Sequence, residues 1–160
     1  MTDAEVALAP WQRHNGRLWL SSVLAIAATP PLLLVAATPD GYDAWYLAIA
    51  IEFAVWGAIN LLFSISGFRG VAQVRSLGAA SRDQTALTKA REILRLLRVN
   101  AWLNLVWLTM GIALLIWGYM AWSPSLAGHG TSVLVQAIVL TILDWIFVRE
   151  LSAAIPAGTD

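Results

Sequence analysis

Four long runs of apolar residues, at 17–38, 44–68, 101–122 and 132–149, are separated by polar or charged stretches. About 20 mostly apolar residues in a helix suffice to cross the hydrocarbon of a bilayer. The pattern therefore predicts an all-α, polytopic membrane protein with four transmembrane helices packed as one domain over 17–151. Residues 1–16 and 152–160 read as short tails, and 69–100 as a long basic loop. Within that loop, Ser81-x-x-Gln84 has the spacing of a capping box and predicts a helix start. From there Ala86, Leu87, Ala90, Ile93, Leu94 and Leu97 share one side, and Arg91, Arg95 and Arg98 another. This amphipathic basic helix either lies on an anionic leaflet or packs on the bundle and runs straight into the third span. Gly128-His129-Gly130 reads as a loop before the fourth span. Pro30-Pro31, inside the first, predicts a bend, because proline removes a backbone donor and clashes with the preceding turn.

The polar residues inside the apolar runs fall on helical faces. In the second span Glu52, Trp56, Asn60 and Phe63 form one stripe, opposite a ridge of Ala50, Ala54 and Ala58 that permits close helix approach. The third carries Asn100, Asn104, Trp107, Gly111 and Gly118, and the fourth Gln136, Leu140, Asp144 and Phe147. Antiparallel spans put Asn60, Asn104 and Asp144 at one depth and Glu52 and Gln136 at another, with Trp56 and Trp107 between. A carboxyl in hydrocarbon turns inward and takes partners, and amides supply both donors and an acceptor. Asp144 is thus expected to bond Asn104 or Asn60. Such bonds can be interhelical glue, at about 0.6–2 kcal/mol each, or the wall of a site. Glu52 is expected to line a cavity whose floor is Trp56.

Charge changes the picture by orienting it. Ten Lys and Arg are present and the formal net charge is zero. Arg13 and Arg17 precede the first run, seven basic residues lie in 69–100, and Arg149 ends the fourth. The other two connections hold none, and the first of them carries Asp40 and Asp43. Basic residues are retained in the cytoplasm, so both termini and the middle loop are expected there. Tyr42, Trp45, Tyr46, Trp117, Tyr119 and Trp122 cluster at the outer ends of the runs, with Trp11, Trp19, Trp102 and Trp145 near the inner ends, as aromatic belts do. The apolar run before Pro30-Pro31 resumes after it, longer than a secretory signal, so the first span is expected to remain in the mature chain.

Candidate chemistry is sparse. Cysteine is absent, which removes disulfides and thiol catalysis. No phosphate-binding glycine loop, nucleophile elbow or zincin motif is present. His14 and His129, at opposite ends of spans, read as surface or interface residues rather than joint ligands of a metal or haem. Seven basic residues over about thirty positions do not make a nucleic-acid surface. No cofactor and no enzymatic activity are expected.

Three segments carry a resemblance: "WGAIN" (Trp56, Gly57, Asn60), "NAWLNLVWLTMG" (Asn100, Leu103, Asn104, Trp107, Gly111) and "QAIVLTILD" (Gln136, Leu140, Asp144). Together the chain from Tyr46 to Leu151 resembles a family of short bacterial four-helix membrane proteins of unknown function. In that pattern the position of Asn104 is often acidic and that of Trp107 often tyrosine, and this chain departs at both. The resemblance implies a fold and a bacterial inner-membrane setting, and it implies no activity. The resulting expectation is a non-catalytic bundle that binds a lipid, a small apolar ligand or a partner membrane protein. Its ligand-facing residues would be Glu52, Trp56, Asn60, Asn104, Trp107, Gln136 and Asp144. The alternative is a small proton-coupled transporter, as a homo-oligomer, using Glu52 or Asp144.

Overall fold

The computed structural model describes residues 3–38 and 41–155, with the side chains of Asp3, Ala4, Tyr42 and Ala80 excepted. Asp40, most of the C-terminal tail and the Tyr42 ring, all of which figured in the expectations above, lie outside the described residues. Four helices follow one another up and down: α1 (Asp3–Ala36), α2 (Ala44–Arg75), α3 (Ala79–Met120) and α4 (Pro124–Ala154). All four are long and apolar enough to cross a bilayer. A two-residue antiparallel pair, β1 (Ala37–Thr38) with β2 (Gly41–Tyr42), joins α1 to α2.

The helices run further than the apolar pattern alone indicates. Residues 3–16, expected as a tail, are the first turns of α1. The helix also continues through Pro30-Pro31 to Ala36. The basic region is not a loop holding a separate helix. α2 and α3 meet at a three-residue turn, Ser76–Gly78, and α3 then runs unbroken for 42 residues. Ser81 is not its cap: Gly78 holds the N-cap position without a side-chain bond. Gly128-His129-Gly130 is likewise helical, because Ser123 caps α4 from the turn before it and Pro124 occupies the first turn. Asp43 caps α2 by accepting from the backbone N–H groups of Trp45 and Tyr46, which relieves two orphan donors. Two residues past the end of α3, Trp122 has a left-handed φ of 51°. There Ser123 N–H donates to Gly118 O and Trp122 N–H to Tyr119 O, the Schellman pattern that consumes terminal carbonyls.

Packing follows a seven-residue repeat on every helix. Buried residues at that spacing include Leu8, Asn15 and Ser22 on α1, and Ala50, Gly57, Ser64 and Val71 on α2. On α3 they include Ala90, Leu97, Asn104, Gly111 and Gly118, and on α4 Gly130, Ala137, Asp144 and Leu151. A strict repeat of seven keeps one seam facing a neighbour along slightly supercoiled helices. The α2 seam therefore uses Gly57 and Ser64, whereas Ala58 of the expected alanine ridge is exposed. Small residues on these seams let backbones touch. A Cβ on Gly57 would meet Ile26 Cγ1 at 2.8 Å, and one on Gly111 would meet Leu134 N at 2.8 Å. Between helices in lipid, such close packing replaces the hydrophobic drive of water.

Side chains of Ala7, Leu8, Val74, Ala86, Ala90, Leu97, Phe147 and Leu151 form the apolar core at one end of the bundle. The start of α1, the α2–α3 turn and the end of α4 all gather there. Arg13 and Arg17 both bond Glu150, and Arg75 donates to Gln12. The outer surface is the reverse of a soluble domain's. Leu34, Leu62, Val106, Ile142 and many other large apolar side chains are exposed, with Trp19, Trp102, Trp117, Tyr119 and Trp145 among them. Soluble monomers rarely expose contiguous apolar surface on this scale, so the exterior is compatible with a multi-pass membrane protein.

Candidate functional site

Asp144 is buried on the α4 seam directly opposite Asn104 on the α3 seam. Asn104 Nδ2 donates to Asp144 Oδ2 at 2.9 Å, and Asn100 Nδ2, one turn earlier, donates to the same oxygen at 2.5 Å. The i, i+4 spacing of the two asparagines brings both amides to one face of α3, so a single carboxylate oxygen collects two donors. Asn60 does not complete this set as the depth argument predicted. It is buried nearby on α2 but makes no side-chain hydrogen bond within the described residues.

The other carboxylate oxygen faces α1. His14 Nε2 lies 4.0 Å from Asp144 Oδ1, beyond hydrogen-bond distance. His14, expected as a surface or interface residue, is only 9% exposed and stacks on Phe147 between α1 and α4, with ring centroids 4.2 Å apart. Its burial follows from the length of α1, which carries residues 3–16 into the bundle as helix. Beside it Asn15 is buried against Gly67, where a side chain on the facing helix would collide with the amide. Ser64 Oγ donates to the Asn15 carbonyl oxygen at 3.2 Å, tying α2 to α1 at this level.

These groups edge a cavity of about 490 Å³ between the helices. Trp56, Asn60, Asn104, Trp107, Gln136 and Asp144 all line it, as do His14, Asn15 and Asn100. Trp56 and Trp107 meet edge to face with centroids 5.2 Å apart, an arrangement that aromatic quadrupoles favour. Trp11, expected in an interfacial belt, lines the same cavity and packs against Gly70. The remaining wall is mostly Leu, Ile, Val and Phe. α2 and α3 scarcely touch each other, and wall residues flanking their gap are open to the outside: Phe63 is 65% and Leu96 67% exposed. The cavity thus has its mouth on the flank of the bundle, between α2 and α3.

Glu52 is not on this cavity. It pairs with His129, the imidazole Nδ1 lying 2.8 Å from Glu52 Oε1. The cavity that Trp56 lines does not extend to Glu52, which was expected to share it. The two belong to one helical face, but the extra first turns of α4 carry His129 over Glu52 and close that end of the groove. Gly128 reinforces the closure by bringing α4 against the backbone of Trp45. Sequence reasoning missed His14, Asn15 and Asn100 as cavity residues. The i, i+4 pair Asn100 and Asn104 was the available signal for the last of these, and the Leu8–Asn15–Ser22 heptad for the α1 residues.

The model of a family of unknown function, DUF6992, matches residues 23–145, which include α2, α3, the latter part of α1 and most of α4. No curated protein and no solved structure matches the chain. The match runs over more than three quarters of the sequence, and the chain belongs to DUF6992, a family of unknown function.

Proposed function

We propose that the protein is a non-catalytic, multi-pass protein of the bacterial inner membrane, with both termini cytoplasmic, whose cavity holds a small amphipathic molecule taken from the bilayer. One observation carries this reading: a cavity of about 490 Å³ has mainly apolar walls with a few polar groups among them, and the wall residues Phe63 and Leu96 beside the α2–α3 gap are exposed. Ligand pockets typically occupy about 300–1,000 Å³, with a mainly apolar lining and a few placed polar groups. Intramembrane ionisable residues mark functional sites by default, and Asp144 is the carboxyl at this one. The orientation draws on the gathering of Lys and Arg toward the end that holds both helix termini. A second reading, a small proton-coupled transporter, draws on the ionisable pairs His14 with Asp144 and Glu52 with His129. The cavity reaches only the first pair, which favours a binding site over a through-path.

Native mass spectrometry of the protein purified in mild detergent tests the proposal. The wild type is expected to carry a bound small molecule in about one-to-one ratio. Leu140→Trp, which fills the cavity from α4, is expected to lose most of it while eluting as the same species. An adduct that persists unchanged in Leu140→Trp, or a wild type with no adduct, would overturn the reading.

A further inference from the structure

We propose that the cavity selects a lipophilic monocation: a protonated amine on an apolar body, with the ammonium at Asp144 Oδ1 and the body against Trp56, Trp107 and Leu103. This rests on the reading that the cavity binds a small molecule and names the chemical class of that molecule. Three features point the same way. The first is the asymmetry of the Asp144 carboxylate. Oδ2 accepts both asparagine bonds, whereas Oδ1 has only His14 Nε2 at 4.0 Å, so an acceptor with spare lone pairs is left at the cavity end. A donor placed there completes the carboxylate without displacing either amide.

The second feature is charge. Asp144 is the one carboxylate on the wall, and no Lys or Arg is among the lining residues. Arg13 and Arg17, the basic residues flanking His14, are turned to Glu150 instead. An anionic head would meet Asp144 with nothing to balance it, which low-dielectric surroundings penalise heavily. A neutral alcohol would satisfy Oδ1 but leave its charge uncompensated. An ammonium does both.

The third feature is the ring content of the wall. Trp11, Trp56, Trp107, Phe63 and Phe147 all contribute. Trp56 and Trp107, in edge-to-face contact, give the apolar body broad ring surface to pack against. Asn60 adds an amide on the cavity wall that makes no side-chain hydrogen bond within the described residues and offers an acceptor to a bound donor.

The experiment compares three ten-carbon probes that differ only at the head: decylamine, decanol and decanoate. Each is titrated into the protein in one detergent at neutral pH, where a primary amine is protonated, and bound probe is counted by native mass spectrometry. Signal remaining in Leu140→Trp is subtracted as non-cavity uptake. The expected result is that decylamine binds the wild type at least tenfold more tightly than either other probe. Asp144→Asn, checked for fold by circular dichroism and elution volume, should reduce decylamine to the level of decanol. Equal binding of decanol, a preference for decanoate, or an amine preference that survives Asp144→Asn would overturn the proposal. If Asp144→Asn does not fold, the wild-type comparison decides by itself. Cavity-dependent binding without a charge preference sinks the cation proposal and leaves the binding reading standing. Uptake of all three probes that is identical in wild type and Leu140→Trp sinks both.

Discussion

Removing the Asn104 amide tests whether the Asp144 cluster holds α3 to α4. Asn104→Ala deletes one donor at 2.9 Å and leaves the Asn100 donor on the same oxygen. The carboxyl is therefore not orphaned, and the loss is one hydrogen bond plus a small void. Polar contacts between membrane helices average about 0.6 kcal/mol and reach about 1.7, while bonds to charged groups in proteins are worth about 1.5–3 kcal/mol. The overlap of these ranges puts Asn104→Ala at about 1.5 kcal/mol. Asp144→Ala removes the acceptor from two amides at once and should cost more, about 2–4 kcal/mol, moderated because the amides border a cavity. The double variant should cost less than the sum, by about 1–1.5 kcal/mol, since the shared bond is counted twice. Unfolding in mixed micelles, followed by steric trapping, gives the three free energies. A cycle of His129→Ala with Asp144→Ala serves as the control, because His129 pairs with Glu52 away from the cavity. That control should be additive within about 0.5 kcal/mol. Coupling between Asn104 and Asp144 no larger than the control would refute the bond as an organising contact.

Gly111→Val should destabilise the bundle by about 1–3 kcal/mol, the usual range for overpacking, because a Cβ there meets Leu134 N at 2.8 Å and Leu134 Cα at 3.0 Å. Gly111→Ala should cost less, and thermal unfolding that shows neither loss would contradict the seam. Reporter fusions at Gly41 and Ser123 should read as periplasmic and one at Leu77 as cytoplasmic, and an inverted pattern would reverse the orientation. Glu52→Gln should weaken the tie of α4 to α2 through His129 yet leave probe uptake by the cavity within about twofold of wild type, as a fold-change set by affinity alone. A tenfold loss of uptake in Glu52→Gln would return Glu52 to the binding surface.

Which polar residues would meet was only partly legible along the chain. Trp56 and Trp107 were expected at one level and do touch, because residues near the middle of antiparallel helices of similar length must lie at similar depth. Asp144 was expected to bond Asn104 or Asn60 for the same reason, and it bonds Asn104. Asn100 was placed on the same stripe but not recognised as a second donor, since i, i+4 neighbours reach one acceptor only when the facing helix aims it between them. Glu52 and His129 were both singled out and never joined. The chain reads as a loop at Gly128-His129-Gly130, and glycines in a helix are recognisable as contact points only once the facing backbone is known.

Four apolar helices, their up-and-down order and the gathering of basic residues toward one end are properties of the sequence itself. Transfer free energy depends on local composition and length, and no tertiary contact is needed to read it. Helix continuity was underestimated because polar residues at 3–16 and 79–100 lower hydropathy without lowering helix propensity. The seven-residue seams, the burial of His14 and the side mouth between α2 and α3 belong to the tertiary structure. They depend on which helix pairs pack tightly. Small residues draw α1 to α2 and α3 to α4, while α2 and α3 make few contacts beyond the Trp56–Trp107 pair, and the cavity is the space that this unequal packing leaves.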